Sequence, residues 1–287
     1  MTQADSGRSW WRRLHWPEYG AELLGTALMV FFGLSAVVFD FYPGSPLETL
    51  VPGHSSRLLV TGLLFAGCGS LVAISPLGRL SGAHINPSVT VAFWLQGKLH
   101  LHDLCGYVVA QFSGAILGAW CLVQVWGERA AAVNNGMTLP GDGYSLGMVF
   151  GAEVFSTLLL VIMIFLFVSH RRLMRWTPLM AWLLIATMVW LEAPVSGTSL
   201  NAARSFGPAL VSRRWDAQWI YWLAPLTGSV LAVIICRLSA SPNVQVLTGK
   251  LFHVPHYRCI FRNVGVPHAP PGGRLRLKNS SSVSSSR

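Results

Sequence analysis

Two stretches decide the fold: Ser81-Gly82-Ala83-His84-Ile85-Asn86-Pro87-Ser88 and Ser196-Gly197-Thr198-Ser199-Leu200-Asn201-Ala202-Ala203. Segments 81–96 and 196–211, which they open, are too short and too polar at their starts to cross a bilayer, which takes about 20 mostly apolar residues. They are also too apolar for ordinary loops. They read as re-entrant half-helices, which a membrane admits only where protein buries them or a cavity lines them. Asn86 and Asn201 stand where helix would begin, and Asn is a favoured N-cap. Pro87 suits the first helical position because the N–H it lacks would be unpaired there anyway.

Working outward, six segments are long and apolar enough to span: 19–41, 58–75, 104–126, 146–168, 178–191 and 218–238, the fifth starting earlier, near Met174. The composition agrees. Of 287 residues 52% are hydrophobic and 11% charged, whereas a soluble domain carries roughly 25% charge. Disorder over most of the chain and a soluble globule are both excluded. The expected fold is an all-α membrane protein: six transmembrane helices plus two re-entrant half-helices in an inverted repeat. Its expected parts are an N-terminus at 1–18, a channel domain at 19–240 and a disordered cytoplasmic tail at 241–287, which is rich in Pro, Gly, Ser and Arg.

The repeat is visible in the residues. Ala21-Glu22-Leu-Leu-Gly-Thr26 is echoed by Ala152-Glu153-Val-Phe-Ser-Thr157, and the two Asn stretches echo each other. Three spans lie between equivalent positions, an odd number, so the halves (about 19–126 and 146–240) enter the membrane in opposite senses. Such repeats place a pathway near the midplane, at the interface between the halves. Two opposed half-helices then bring their positive N-terminal ends together, with Asn amides pointing into a lumen. Small residues at i, i+4 (Ala21/Gly25, Gly114/Gly118, Gly147/Gly151) fit close helix crossings.

The formal charge of +10 is lopsided. With alternating spans, 16 of the 21 Lys and Arg residues share a side with both termini, leaving Arg57, Arg129, Arg204, Arg213 and Arg214 elsewhere. The positive-inside rule puts both termini in the cytoplasm, and nucleic acid is not an expected partner. Residues 1–15 are polar and lack an apolar run before a small-residue cleavage site, so no cleaved signal is expected and the first span is read as permanent. The five cysteines form no CxxC pair, and three inside apolar runs read as small hydrophobes. His253-x-x-His256-x-x-Cys259 lacks a fourth ligand at defined spacing, so no metal or cofactor is expected.

From about 19 to 240 the sequence resembles the aquaporins, or major intrinsic proteins, on both Asn motifs, Arg204-Ser-Phe-Gly-Pro-Ala209 and the paired glutamates. The resemblance implies a pore in each protomer and a homotetramer. The family usually has Asn-Pro-Ala twice; here Ser88 replaces the first Ala and Ala202 the second Pro. Ala is the best helix former, so the second helix should survive while the apex geometry loosens. By the same resemblance Arg204 belongs to the outer constriction, where an embedded charge marks a functional position. Ungapped matching puts Ala66, Val189 and Thr198 beside it. That filter is wider and less polar than the aromatic–His–Arg set of water-selective members. It resembles the metalloid-permeable nodulin-like intrinsic proteins and the aquaglyceroporins.

The expected function is passive conduction of water and small uncharged solutes (glycerol, urea, boric acid or arsenite-type) across a plasma membrane, or the inner membrane of a bacterium. Ions and protons are excluded. Phe65 adjoins Ala66, and a one-residue bulge would restore an aromatic, water-selective filter. A proton-coupled carrier using Glu22 and Glu153 is the alternative from another class. Bracing of unpaired loop N–H groups is the better reading of those two carboxylates. His84 either hydrogen-bonds within its loop or lines the inner vestibule, and Glu192 reads as a solvated residue at a span end in preference to one that shapes vestibule charge. No catalytic grouping spans the repeats.

Overall fold

A computed structural model of the chain describes residues 14–239 and 245–267. Among them, six helices are long and apolar enough to cross a membrane. These are α1 (Trp16–Phe41), α3 (His54–Ile74), α6 (Leu101–Trp126), α8 (Leu146–Val168), α9 (Thr177–Ser196, led by a 3₁₀ turn at Met174–Trp176) and α11 (Gln218–Leu238). The short helices are α2 (Pro46–Leu50), α4 (Pro76–Ser81), α5 (Pro87–Leu95), α7 (Glu128–Ala132) and α10 (Ala202–Ser212). The described residues contain no strand.

The helices start where their local chemistry allows. Pro17 at the start of α1 carries the helix back past Tyr19, and Pro178 does the same for α9. The fifth span is therefore longer than its apolar core suggests. It runs to Ser196 through Pro194 and stops at Gly197, whose φ of +81° is the left-handed cap that glycine adopts freely.

Glycine sets the helix crossings. A Cβ on Gly114 of α6 would lie 2.2 Å from the Leu23 carbonyl of α1. Its counterpart, Gly228 of α11, would meet the Val154 carbonyl of α8 at 2.4 Å. The two halves thus use the same device, backbone against backbone, which apolar lipid cannot drive and small residues permit. Gly118 belongs to the same crossing, where its Cβ would sit 2.5 Å from the Ala27 carbonyl. Gly147 and Gly151, read from sequence as a further crossing pair, are exposed; a Cβ on Gly151 would meet nothing within 4 Å and one on Gly147 only the nearby Ser145 hydroxyl, at 4.0 Å.

The expected disordered tail is corrected over part of its length. Residues 245–267 fold back onto the helix bundle: Val246, Thr248, Lys250, Cys259 and Phe261 are buried, and Arg258 grips Glu18 at the foot of α1 with two bonds of 2.6 and 2.8 Å. The apolar residues of this stretch carry no helical or strand periodicity, so the tertiary contacts they make left no mark in the sequence. The serine run at 279–287 and the basic residues at 8–13 lie outside the described residues.

Beside that grip, His15 caps the foot of α1 with Nδ1 2.6 Å from the buried Asp103 carboxylate, which also accepts the Tyr19 hydroxyl at 2.7 Å. The hydrogen bond that the His15 ring donates to Asp103 raises the His15 pKa above its ordinary 6.5. The protonated ring therefore stabilises the fold fully below 6.5, and that contribution fades as pH rises through the higher folded value.

Two outcomes follow for thermal unfolding in detergent. Gly114→Ala and Gly228→Ala should each lose about 1–3 kcal/mol by overpacking, whereas Gly151→Ala should gain up to about 1 kcal/mol of helix propensity. The melting-temperature gap between wild type and His15→Gln should shrink as pH rises through the His15 transition. A gap that ignores pH would contradict the His15–Asp103 assignment.

Candidate functional site

The site is built where α5 and α10 meet end to end inside the bundle. Asn86 caps α5 by accepting the Ser88 N–H at 2.8 Å, and Asn201 caps α10 by accepting those of Ala203 and Arg204 at 3.0 and 3.3 Å. Each side-chain amide also donates across the interface. Asn86 Nδ2 reaches the Leu200 carbonyl at 2.8 Å, and Asn201 Nδ2 reaches the Ile85 carbonyl at 2.8 Å. The two bonds are reciprocal and lock the half-helices together. An amide nitrogen has two hydrogens, so each Asn keeps a second donor for the cavity that both residues line.

The missing second proline changes little here. The N-cap backbone angles are −155° and 120° at Asn86, and −151° and 108° at Asn201. Asn201, with two backbone donors in place of one, holds the apex without the ring. Helix α10 begins at Ala202.

The loops ahead of the caps are as strictly paired. Ala83 and Ile85 take φ of +55° and +40°, Thr198 and Leu200 +51° and +55°, a region that costs non-glycine residues energy and persists only when the surroundings enforce it. The enforcing groups are the glutamates. Glu22, fully buried, accepts the N–H groups of His84 and Ile85 at 3.0 and 2.7 Å, the Ser81 hydroxyl at 2.7 Å and the Gln111 amide at 2.7 Å. Glu153 accepts the N–H groups of Ser199 and Leu200 at 2.6 and 3.0 Å and the Ser196 hydroxyl at 2.6 Å. Tyr107 and Tyr221 complete the pattern, donating to the Ser81 and Ser196 carbonyls at 2.6 and 2.8 Å. Sequence reading missed Gln111 and both tyrosines. Their equivalent places in the third and sixth spans were the available signal for Tyr107 and Tyr221.

A cavity of about 340 Å³ runs past this junction. Phe41 and His54 line it at the end away from the chain termini, and Ala73, Pro178 and Leu251 at the end near them. Ala66, Val189, Thr198 and Arg204, the four expected filter positions, all line it, as do Asn86 and Asn201. Pro87, Ser88, Ala202 and Ala203 are buried in the half-helix starts behind the two Asn side chains. Arg204 is only 7% exposed, and its Nη1 donates to the Gly136 carbonyl at 3.0 Å.

Phe65 lines the cavity too, with the Arg204 guanidinium 5.1 Å from its ring centre. Gly33 makes room for that ring, since a Cβ there would be 2.8 Å from it. The wall at this point is therefore shared between Ala66 and Phe65. Glu192 is not a solvated residue at a span end. It is partly buried, accepts the Thr198 hydroxyl and sits in contact with the Ser196 oxygen, whose one hydrogen it shares with Glu153. The Thr198 hydroxyl is thereby drawn toward Glu192. His84 does both things the sequence left open, with its Nδ1 3.2 Å from the Thr90 hydroxyl of its own re-entrant segment while it lines the cavity, and its Nε2 also lies 2.8 Å from the Gly249 carbonyl of the returning segment. His253, His256 and Cys259 form no joint ligand set among the described residues; Cys259 is buried beside Asn263, and His253 sits against the Pro267 carbonyl.

Comparison with known proteins gives the geometry its context. Residues 9–236 match the family model of the major intrinsic proteins. Human Aquaporin-1 is 31% identical over 244 residues, covering 84% of this chain and 88% of the relative. Aquaporin AqpM of Methanothermobacter marburgensis is 33% identical over 229 residues, covering 75% and 93%. The X-ray structure of the aquaglyceroporin from Plasmodium falciparum shares the fold, with TM-score 0.61 over 78% of this chain and 98% of that one at 22% identity. With its six spans, its paired half-helices and this match, the chain belongs to the major intrinsic protein family, the aquaporin-type passive channels for water and small solutes.

Proposed function

We propose that this channel conducts small uncharged solutes (glycerol, urea, boric acid or arsenite-type) together with water, and excludes ions and protons. Its place is the plasma membrane, or the inner membrane of a bacterium, as a homotetramer with both termini in the cytoplasm. The observation that carries the solute reading is the lining of the constriction. Ala66 and Val189 contribute small apolar side chains to the same lining as the Arg204 guanidinium, a combination that suits a hydroxylated molecule. Arg204 donates hydrogen bonds to solute oxygens and repels cations. Past it, the second amide hydrogens of Asn86 and Asn201 reorient each passing molecule. The facing helix ends, each worth roughly half a positive charge, oppose protons at that point. Glu22 and Glu153 brace the loops and carry no proton across.

A water-selective filter is the second reading. The ring of Phe65 over Arg204 at 5.1 Å favours it, because an aromatic there narrows the passage.

Swelling and shrinkage of proteoliposomes in gradients of water, glycerol, urea and boric acid separate the two. The solute reading expects flux of all four, linear in the gradient and indifferent to a proton gradient. Val189→His should depress glycerol flux about tenfold, the effect of roughly 1.4 kcal/mol of added barrier, while sparing water. Phe65→Ala should raise it. Water flux alone, with glycerol admitted only in Phe65→Ala, would establish the narrow filter. Saturating uptake driven by a proton gradient would replace the channel with a carrier.

A further inference from the structure

The segment that folds back after α11 does more than cover the bundle. Leu251 lines the conduit itself, at the end near the chain termini, 9% exposed and packed with the Val89, Leu160 and Ile164 core. Its neighbours hold it there from several sides. The Leu251 N–H donates to the Gly82 carbonyl at 3.0 Å, at the root of the first re-entrant loop. The Gly249 carbonyl accepts from His84 of the same loop at 2.8 Å. Lys250, 1% exposed, points the other way and donates to the Arg79 carbonyl and, at 2.8 Å, to the Arg258 carbonyl.

The fit is close. Phe261 doubles back over the segment, and a Cβ on Gly249 would lie 2.3 Å from its ring. The outer ties reach separate parts of the mouth. Arg258 pairs with Glu18 through both guanidinium bonds, the Arg262 N–H meets the Lys98 carbonyl at 2.9 Å, and Arg171 donates to the Gly265 carbonyl at 2.5 Å. The Leu247 N–H donates to the Val168 carbonyl at 3.2 Å, at the end of α8. A segment fastened to the foot of α1, the loop after α5, the end of α8 and the loop after it is a wall of the mouth, held to a fixed position.

We propose that residues 246–261 form the inner wall of the conduit and that Leu251 makes a second constriction, apolar where the Arg204 ring is polar. An apolar side chain in a narrow passage resists wetting, so Leu251 sets how fast molecules pass, while the Arg204 ring sets which ones do. The inference rests on the channel reading above. It makes residues after the last span part of the transport path.

The test is water and glycerol permeability of proteoliposomes holding the full chain, normalised to channel density, for wild type, Leu251→Ala and Leu251→Trp. Leu251→Ala should raise both fluxes by about threefold or more, and Leu251→Trp should lower both, with the glycerol-to-water ratio kept. A wild type that is silent while Leu251→Ala conducts also supports the constriction. Equal, nonzero flux in all three would overturn it and leave the channel reading intact. Silence in all three overturns the channel reading and the inference with it. Leu251→Cys guards against misfolding. A small thiol reagent should block it well beyond the effect on wild type, whose own five cysteines set the background, and equal sensitivity would overturn the proposal.

Discussion

A half-helix that ends in the middle of a membrane leaves its first backbone N–H groups without water, and everything else in this protein answers to that constraint. Each unsatisfied group in a hydrocarbon surround costs several kcal/mol. Here the ends satisfy one another. Asn86 and Asn201 cap their own helices with their oxygens and clasp the opposite loop with their nitrogens. The strained loops just ahead of them are fixed by buried carboxylates, one from each repeat. Hydrogen bonds of this kind contribute about 0.5–1.5 kcal/mol each, and several act together on the four non-glycine residues at positive φ. The same arrangement leaves carbonyls, two amide donors and one guanidinium facing a single passage.

The two halves agree in their bracing and differ in their walls, and the differences carry the function. Gly114 and Gly228, Tyr107 and Tyr221, Glu22 and Glu153 are matched pairs. Arg204 and Glu192 belong to the second half, where Glu192 draws the Thr198 hydroxyl and Arg204 leans on Phe65 from the first. The cavity lining there combines the Arg204 guanidinium and Thr198 with the apolar side chains of Phe65, Ala66 and Val189. On the proposed solute reading, the Arg204 donors meet the hydroxyls of a neutral molecule while the apolar side chains meet its carbon face.

Much of this was legible in the sequence because membrane chemistry restricts it. The Asn motifs, the paired glutamates and the spans each have a signature that lipid enforces, whereas Ala66, Val189, Thr198 and Arg204, which line the cavity, were marked only by the family resemblance. What escaped was set by tertiary contact. Residues 245–267 look like a tail because Pro, Gly and isolated cations carry no periodicity, yet Lys250 and Arg258 find carbonyl and carboxylate partners that only the folded bundle brings near. Phe65 and Ala66 are one residue apart on a helix, roughly 100° around its axis. Counting residues selects one of them, whereas Gly33 admits the ring of the other. Gly147 and Gly151 show the converse, a crossing signature on a face that meets no neighbour.

The central claim is a continuous path for neutral molecules that the facing helix ends and Arg204 close to charge. Water permeability and proton current measured together on the same reconstituted vesicles, across a range of protein densities, test it most directly. The account predicts water flux that rises with protein density while proton current stays at the level of empty vesicles. A proton current that scales with protein, or vesicles no more permeable to water than lipid alone, would contradict it.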